Sequence, residues 1–221
     1  MARFISIVSK TRGSGKTTVA LNLGLALHNQ GQKVVVFDAD FSKPNMIEHL
    51  NINQTLLPIT LDDVFNGRNH IFDSIYRHAS GLQIVPSLTP RDYSKLSYHF
   101  QDFNPDYDFV ILDTPMDDAG LNEVLKNSDE AIIVHSPSFS SRMVLESSDM
   151  LKKHKILNLG LVLNKSHEDS VNSIFDMPII AKFSDNDRIR RSYLLKHPAL
   201  YSFPRSKVSK EFNNLAKKLI V

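Results

Sequence analysis

The sequence predicts an α/β fold: one doubly wound domain, residues 1–221, with a mostly parallel sheet flanked by helices. Three observations predict it. An apolar, β-branched run ends at Ser9, a glycine-containing loop follows, and a helix-spaced apolar series begins at Lys16. A second apolar strand, Lys33–Asp38 (KVVVFD), comes straight after that helix, and strand–helix–strand in this order implies a right-handed parallel crossover. An apolar run closed by a polar residue then recurs at Asp108–Asp113, Ala131–His135 and Leu159–Asn164.

Taken in order, Arg3–Ser9 is the first strand, apolar enough to be buried on both faces. Lys16–Gln30 is an amphipathic helix with Val19, Leu23, Ala26 and Leu27 on one side, and Gly31 stands where a C-terminal cap belongs. Pro44–Leu50 and Leu61–Phe65 are short helices, separated by Gly67 and Asn69 from the segment Ile71–Tyr76. Leu82–Pro86 is a short strand, and Ser94–Phe103 is helical. Ser140–His154 is a helix between the strands at Ala131 and Leu159, and Pro178–Phe183 is the last strand. Asp187–Lys196 and Val208–Ile220 close the chain as helices; in the latter, Val208, Phe212, Leu215, Ala216 and Leu219 share one helical face. There is no linker, repeat or low-complexity stretch.

Composition narrows the chemistry. At 221 residues with 42% hydrophobic and 23% charged content, the chain suits a soluble α/β domain with a two-faced core. The absence of cysteine excludes disulfides, thiolate zinc sites and cysteine-ligated iron–sulfur clusters. No apolar run approaches the ~20 residues of a membrane span, and no signal-peptide pattern is seen, so a cytoplasmic location is the expectation. Net charge is +2, but from Lys182 onward there are ten Lys/Arg against three Asp/Glu. That excess is either a solvated helical face or a patch for DNA or anionic membrane.

The chemistry-bearing stretch is Ile5–Asn22 (ISIVSKTRGSGKTTVALN). Amides of Gly13, Ser14 and Gly15 can point at anionic oxygens, and the helix starting near Lys16 adds its positive end. Lys16 reaches the β- and γ-phosphates, and the Thr17 hydroxyl can ligate Mg²⁺. The first glycine of the usual G-x-x-x-x-G-K-[ST] pattern is replaced by Lys10, while GSGKTT is intact. A second signal is FVILDTP, in which Asp113 emerges at a strand end as a magnesium-shell candidate. A third is VVFDADFSKPN: Asp38 and Asp40 project the same way on extended chain, so one can serve the magnesium shell and the other orient water.

Together these residues resemble the MinD/ParA group of P-loop ATPases, closest to its Min-type branch, over nearly the whole chain. That group has a deviant loop, K-G-G-x-G-K-T-T, a D-x-D in the next βα loop and an Asp at the end of a later strand. The matching residues are Gly13, Gly15, Lys16, Thr17, Thr18, Asp38, Asp40 and Asp113. The resemblance implies the P-loop NTPase fold, ATP and Mg²⁺ as cofactors, ATP hydrolysis, an ATP-dependent homodimer and an activating protein partner. It implies that Lys16 binds phosphate, Thr17 ligates Mg²⁺, Asp40 positions the attacking water, and Asp38 and Asp113 shape the metal's surroundings. Asn164 matches an adenine-reading asparagine, and Phe183–Ser184–Asp185 a second adenine-contacting segment in which the family has Pro where Ser184 stands. His135–Arg142 (HSPSFSSR) matches a segment near the dimer face.

One departure affects function. The family's signature lysine, five residues before the loop lysine, is Thr11 here, between Lys10 and Arg12. In the family that lysine crosses to the partner subunit's phosphates. Beside an ATP-dependent switch for spatial positioning, two alternatives therefore stand: a nucleotide-binding scaffold with weak or lost hydrolysis, and an ATP-using metabolic enzyme of the same superfamily. The nine histidines show no metal-ligand spacing, and His78, His99 and His154 are expected to be surface or partly buried rather than functional.

Overall fold

The computed structural model describes residues 1–88, 99–166 and 177–220. Its centre is an eight-stranded sheet in the order β3-β4-β2-β5-β1-β6-β7-β8. The strands are β1 (Arg3–Val8), β2 (Val34–Asp38), β3 (Tyr76–Arg77), β4 (Gln83–Val85), β5 (Phe109–Asp113), β6 (Glu130–His135), β7 (Leu157–Ser166) and β8 (Ile179–Ser184). All neighbouring pairs are parallel except β3–β4. The helices are α1 (Lys16–Asn29), α2 (Met46–Leu50), α3 (Leu61–Phe65), α4 (Asp118–Leu125), α5 (Arg142–His154), α6 (Asp187–Leu194), α7 (Ala199–Ser202) and α8 (Lys207–Leu219).

The apolar runs become strands because both faces of the sheet are covered. On one face Ile5, Ile7, Val34 and Val36 pack with α1 and α8, through Leu23, Leu27, Phe212 and Leu215. On the other, Phe4, Val35, Phe37 and Leu112 pack with Leu61, Val64 and Phe103. A third cluster joins Val8, Ile133 and Leu163 to Leu121 of α4 and Val144 of α5. Phe183 stacks on Phe212 at 4.0 Å between ring centroids, which docks α8 on the sheet.

Several elements differ from expectation. The helix predicted over Ser94–Phe103 falls partly outside the described residues; its end is a 3-10 turn, Gln101–Phe103. Helix α4 was not anticipated: its sequence, DAGLNEVL, carries too few apolar residues for a clear period, and Asp117 caps it by accepting from the Gly120 N–H at 2.8 Å. The two-residue strand β3 and the short α7 were too brief to signal themselves. Helix α6 stops at Leu194, before the predicted Lys196, which adopts φ +61°. His78, expected at the surface or partly buried, is 3% exposed and lies between Ser80 and His197, at 2.8 and 2.9 Å. Burial pushes its pKa down to about 4.

Candidate nucleotide-binding site

Strand β1 runs between β5 and β6 at the middle of the sheet, so the loop leaving its carboxyl end opens over the strand termini, where open α/β sheets bind ligands. Gly13 and Gly15 both take left-handed backbone, φ +76° and +96°. Gly15 is doubly constrained, because a Cβ there would lie 2.1 Å from Asn164 Nδ2. The loop is held from β7: Asn164 Nδ2 donates to the Ser14 carbonyl at 2.7 Å, and Lys165 Nζ donates to the Gly13 carbonyl at 3.0 Å. With these carbonyls tied back, the loop's amides and the start of α1 face the cleft.

The cleft has a volume of about 950 Å³. It is lined by Gly13–Thr18 and Arg12 from the loop, Asp40 and Asn45 after β2, Asn164 and Lys165 near the end of β7, and Ser184, Asp185, Ile189, Arg190 and Tyr193 from the end of β8 through α6. The structure thus gathers Gly13, Ser14, Gly15, Lys16, Thr17, Thr18, Asp40, Asn164, Ser184 and Asp185 around one space. Phe183 lines none of it: its ring is fully buried in the core. Asp38 is also fully buried below the cleft, where Oδ2 accepts from the Met46 N–H at 3.2 Å and Oδ1 from the Asp40 N–H at 3.3 Å. Asp38 therefore props the loop that carries Asp40 and Asn45.

Sheet register sets the electrostatics. Asp38 and Asp113 are cross-strand partners at the ends of β2 and β5. Burial, reinforced by Asp113's charge, raises Asp38's pKa well above the usual carboxylate range. Burial likewise pushes Asp113 up to about 6, against the opposing pull of Lys16 and the Thr17 hydroxyl. Thr17 Oγ1 donates to Asp113 Oδ2 at 2.6 Å and lies 3.1 Å from Asn45 Oδ1. Among the described residues of the loop and the strand end beneath it, three buried polar atoms have no protein partner: Asp113 Oδ1, Ser14 Oγ and Thr11 Oγ1. An orphaned carboxylate oxygen beside a threonine hydroxyl suits a hydrated Mg²⁺, and the serine hydroxyl under a ring of amides suits a phosphate. The residues fit the metal nucleotide that the sequence implies.

The altered loop is resolved side chain by side chain. Lys10 is only 10% exposed and is ion-paired to Asp118 in the first turn of α4. Thr11 turns inward, its Oγ1 buried. Arg12 is exposed and lines the cleft. Asn45, Lys165, Arg190 and Tyr193 were not anticipated as site residues. Asn45 stood within VVFDADFSKPN, but nothing local said that it would meet Thr17 from 28 residues away.

A family profile described as AAA domain matches residues 2–159. An uncharacterized ATP-binding protein of Methanocaldococcus jannaschii is 28% identical over 243 aligned residues, covering 100% of this chain and 88% of that protein. The septum site-determining protein MinD of Synechocystis is 27% identical, covering 99% and 90%. The structure of MinD from Pyrococcus horikoshii complexed with Mg-ADP superposes with a TM-score of 0.88 at 29% identity, covering 99% of this chain and 96% of that one. With its glycine loop, aspartate-closed strands and doubly wound sheet, this chain belongs to the MinD/ParA family of P-loop ATPases within the AAA-domain family.

Proposed function

We propose that the whole chain, 1–221, acts as one ATPase domain that binds Mg-ATP in this cleft, hydrolyses it slowly, and works as a dimerising switch for spatial positioning of a division site or other cargo. The carrying observation is the clamped loop over the buried Thr17–Asp113 pair, with Asp113 Oδ1 still free to meet a metal's water. In this reading Lys16, Ser14 and Thr18 hold phosphates, Thr17 binds Mg²⁺ with Asp113 behind it, and Asp40 orients water. Asn164, with the 183–185 backbone, takes the adenine. The P. horikoshii neighbour with Mg-ADP supports the ligand, and the curated MinD relatives support the role. Exposed Phe139 and Leu145, in and beside the segment 135–142, support a self-association face. An activating protein and a cytoplasmic setting, peripheral to a membrane, complete the proposal.

A second reading, a scaffold with weakened hydrolysis, is favoured by Thr11's inward turn and by Lys10's ion pair. Lys16→Ala tests ligand binding. Loss of a charge-assisted phosphate contact worth roughly 1.5–3 kcal/mol lowers Mg-ATP affinity about ten- to hundredfold in calorimetry. Unchanged affinity removes the assignment.

A further inference from the structure

A second hollow lies beside the nucleotide cleft, with a volume of about 300 Å³. Its lining includes Ile47, Glu48 and Ile52 from α2 and the turn after it, Ser87 and Leu88 beyond β4, and Lys196 beyond α6. Strand β4 runs parallel to β2, so Ser87 stands at the carboxyl edge of the sheet, where open α/β sheets take ligands. Ser87 is 1% exposed, and its hydroxyl has no hydrogen-bond partner, a state that a bound polar group relieves. Two opposite charges share this hollow without neutralising each other. Among the described residues Lys196 forms no ion pair, and its Nζ lies 4.9 Å from the centroid of the Tyr193 ring. The Glu48 carboxylate likewise forms no ion pair and accepts from the Tyr193 hydroxyl at 2.9 Å. Tyr193 lines the nucleotide cleft, and Pro44 lines both spaces, so the two cavities share a wall.

We propose that this hollow binds a free amino acid with an aliphatic side chain. Its carboxylate meets Lys196, its ammonium group meets Glu48, and the Ser87 hydroxyl supplies a further hydrogen bond. Its side chain lies against Ile47, Ile52 and Leu88. Three observations choose this ligand. The volume stands at the lower end of the range of small-molecule pockets, about 300–1,000 Å³, which suits a molecule of amino-acid size. A phosphate or a dicarboxylate would set negative charge against Glu48, and a diamine would set positive charge against Lys196, whereas a zwitterion answers both. The apolar wall gains from covering an alkyl group and nothing from covering a sugar's hydroxyls. A ligand that engages Glu48 competes with the Tyr193 hydroxyl for that carboxylate, and this gives the nucleotide cleft a route by which to sense a metabolite. The binding itself needs no nucleotide.

The test is calorimetric titration of the full chain with L-leucine, L-isoleucine and L-valine at millimolar concentration, without nucleotide. Omitting nucleotide keeps the result independent of the ATP reading. Binding of at least one is expected. The amide of that amino acid lacks the carboxylate, and its 2-oxo acid lacks the ammonium group; each is expected to bind about tenfold or more weakly. Glu48→Gln and Lys196→Gln are expected to weaken binding by a similar factor, with folding checked by circular dichroism. The two ligand analogues, titrated into wild type, keep the test valid if a variant fails to fold. Binding of none of the three amino acids overturns the proposal. So does a 2-oxo acid that binds as tightly as the amino acid, which would mark an anion site at Lys196 alone. Wild-type affinity in both charge variants also overturns it, by placing the ligand elsewhere.

Discussion

At the residue scale, the proposed roles of Asp40 and Asp113 differ in what surrounds each carboxylate. Asp40 lines the cleft, and its Oδ1 accepts from Ser42 Oγ at 2.7 Å and from the Lys43 N–H at 3.1 Å, which fixes the carboxylate without burying it. Asp40→Ala is expected to cut ATP turnover while leaving Mg-ATP affinity within a few-fold, measured by phosphate release and calorimetry. Wild-type turnover would assign water positioning to another residue. Asp113 is the group with a pH signature. Its pKa rises from an ordinary 3.8 to about 6 on folding, so the folded chain binds that proton more tightly than the unfolded one. Its contribution to stability is full below pH 4 and lost as pH rises through about 6. Asp113→Asn, which also relieves Asp38 of a like charge, should therefore gain in melting temperature relative to wild type between pH 4 and 7 in metal-free buffer. A difference that stays flat over that range refutes the assignment. The sequence exposed both acids, since Asp113 closes an apolar strand and Asp40 stands two residues beyond the end of another. It did not show that Asp38 would be turned to the Met46 and Asp40 amides, because that depends on how the chain after β2 folds back.

Among elements, α8 shows how periodicity becomes packing. The five residues predicted to share a face, Val208, Phe212, Leu215, Ala216 and Leu219, are all buried. Phe212 is the anchor, stacked on Phe183 of β8. Phe212→Ala should destabilise the chain by about 3–5 kcal/mol, the usual cost of emptying a buried phenylalanine site. Denaturant unfolding followed by circular dichroism measures it, and a cost under about 1 kcal/mol would mean that α8 is only loosely docked. Helix α4 is the opposite case. It is specified by the Asp117 cap and by Leu121, Val124 and Leu125 meeting the sheet, so its helicity follows from tertiary burial more than from its own pattern.

For the whole molecule, the question is whether two copies meet across the nucleotide. Of the two cations flanking the family's signature position, Arg12 is exposed and at the cleft, whereas Lys10 is bound to Asp118. A cation supplied across an interface is worth about 10³–10⁵ in rate in related phosphoryl transfer. Arg12→Ala should therefore abolish any rise of specific activity with protein concentration, and any ATP-dependent increase in light-scattering mass. Lys10→Ala should preserve both. The reverse result would move the role to Lys10. Wild-type activity independent of concentration, with both variants alike, would favour the scaffold reading.

By itself the sequence determined the fold class, the glycine loop, the acids that end β2 and β5, and the apolar face of α8. These are local patterns: side-chain period, turn chemistry and strand termination are written in neighbouring residues. Only the tertiary structure decided the strand order that sets Asp38 against Asp113, the clamp of Asn164 and Lys165 on the loop's carbonyls, the turning of Thr11 and Lys10 away from the cleft, and the hollow that Glu48 and Lys196 share. Each of these joins residues distant in the chain, or depends on what covers a surface. The free energy of such contacts is set by burial and distance in space, which no local pattern specifies.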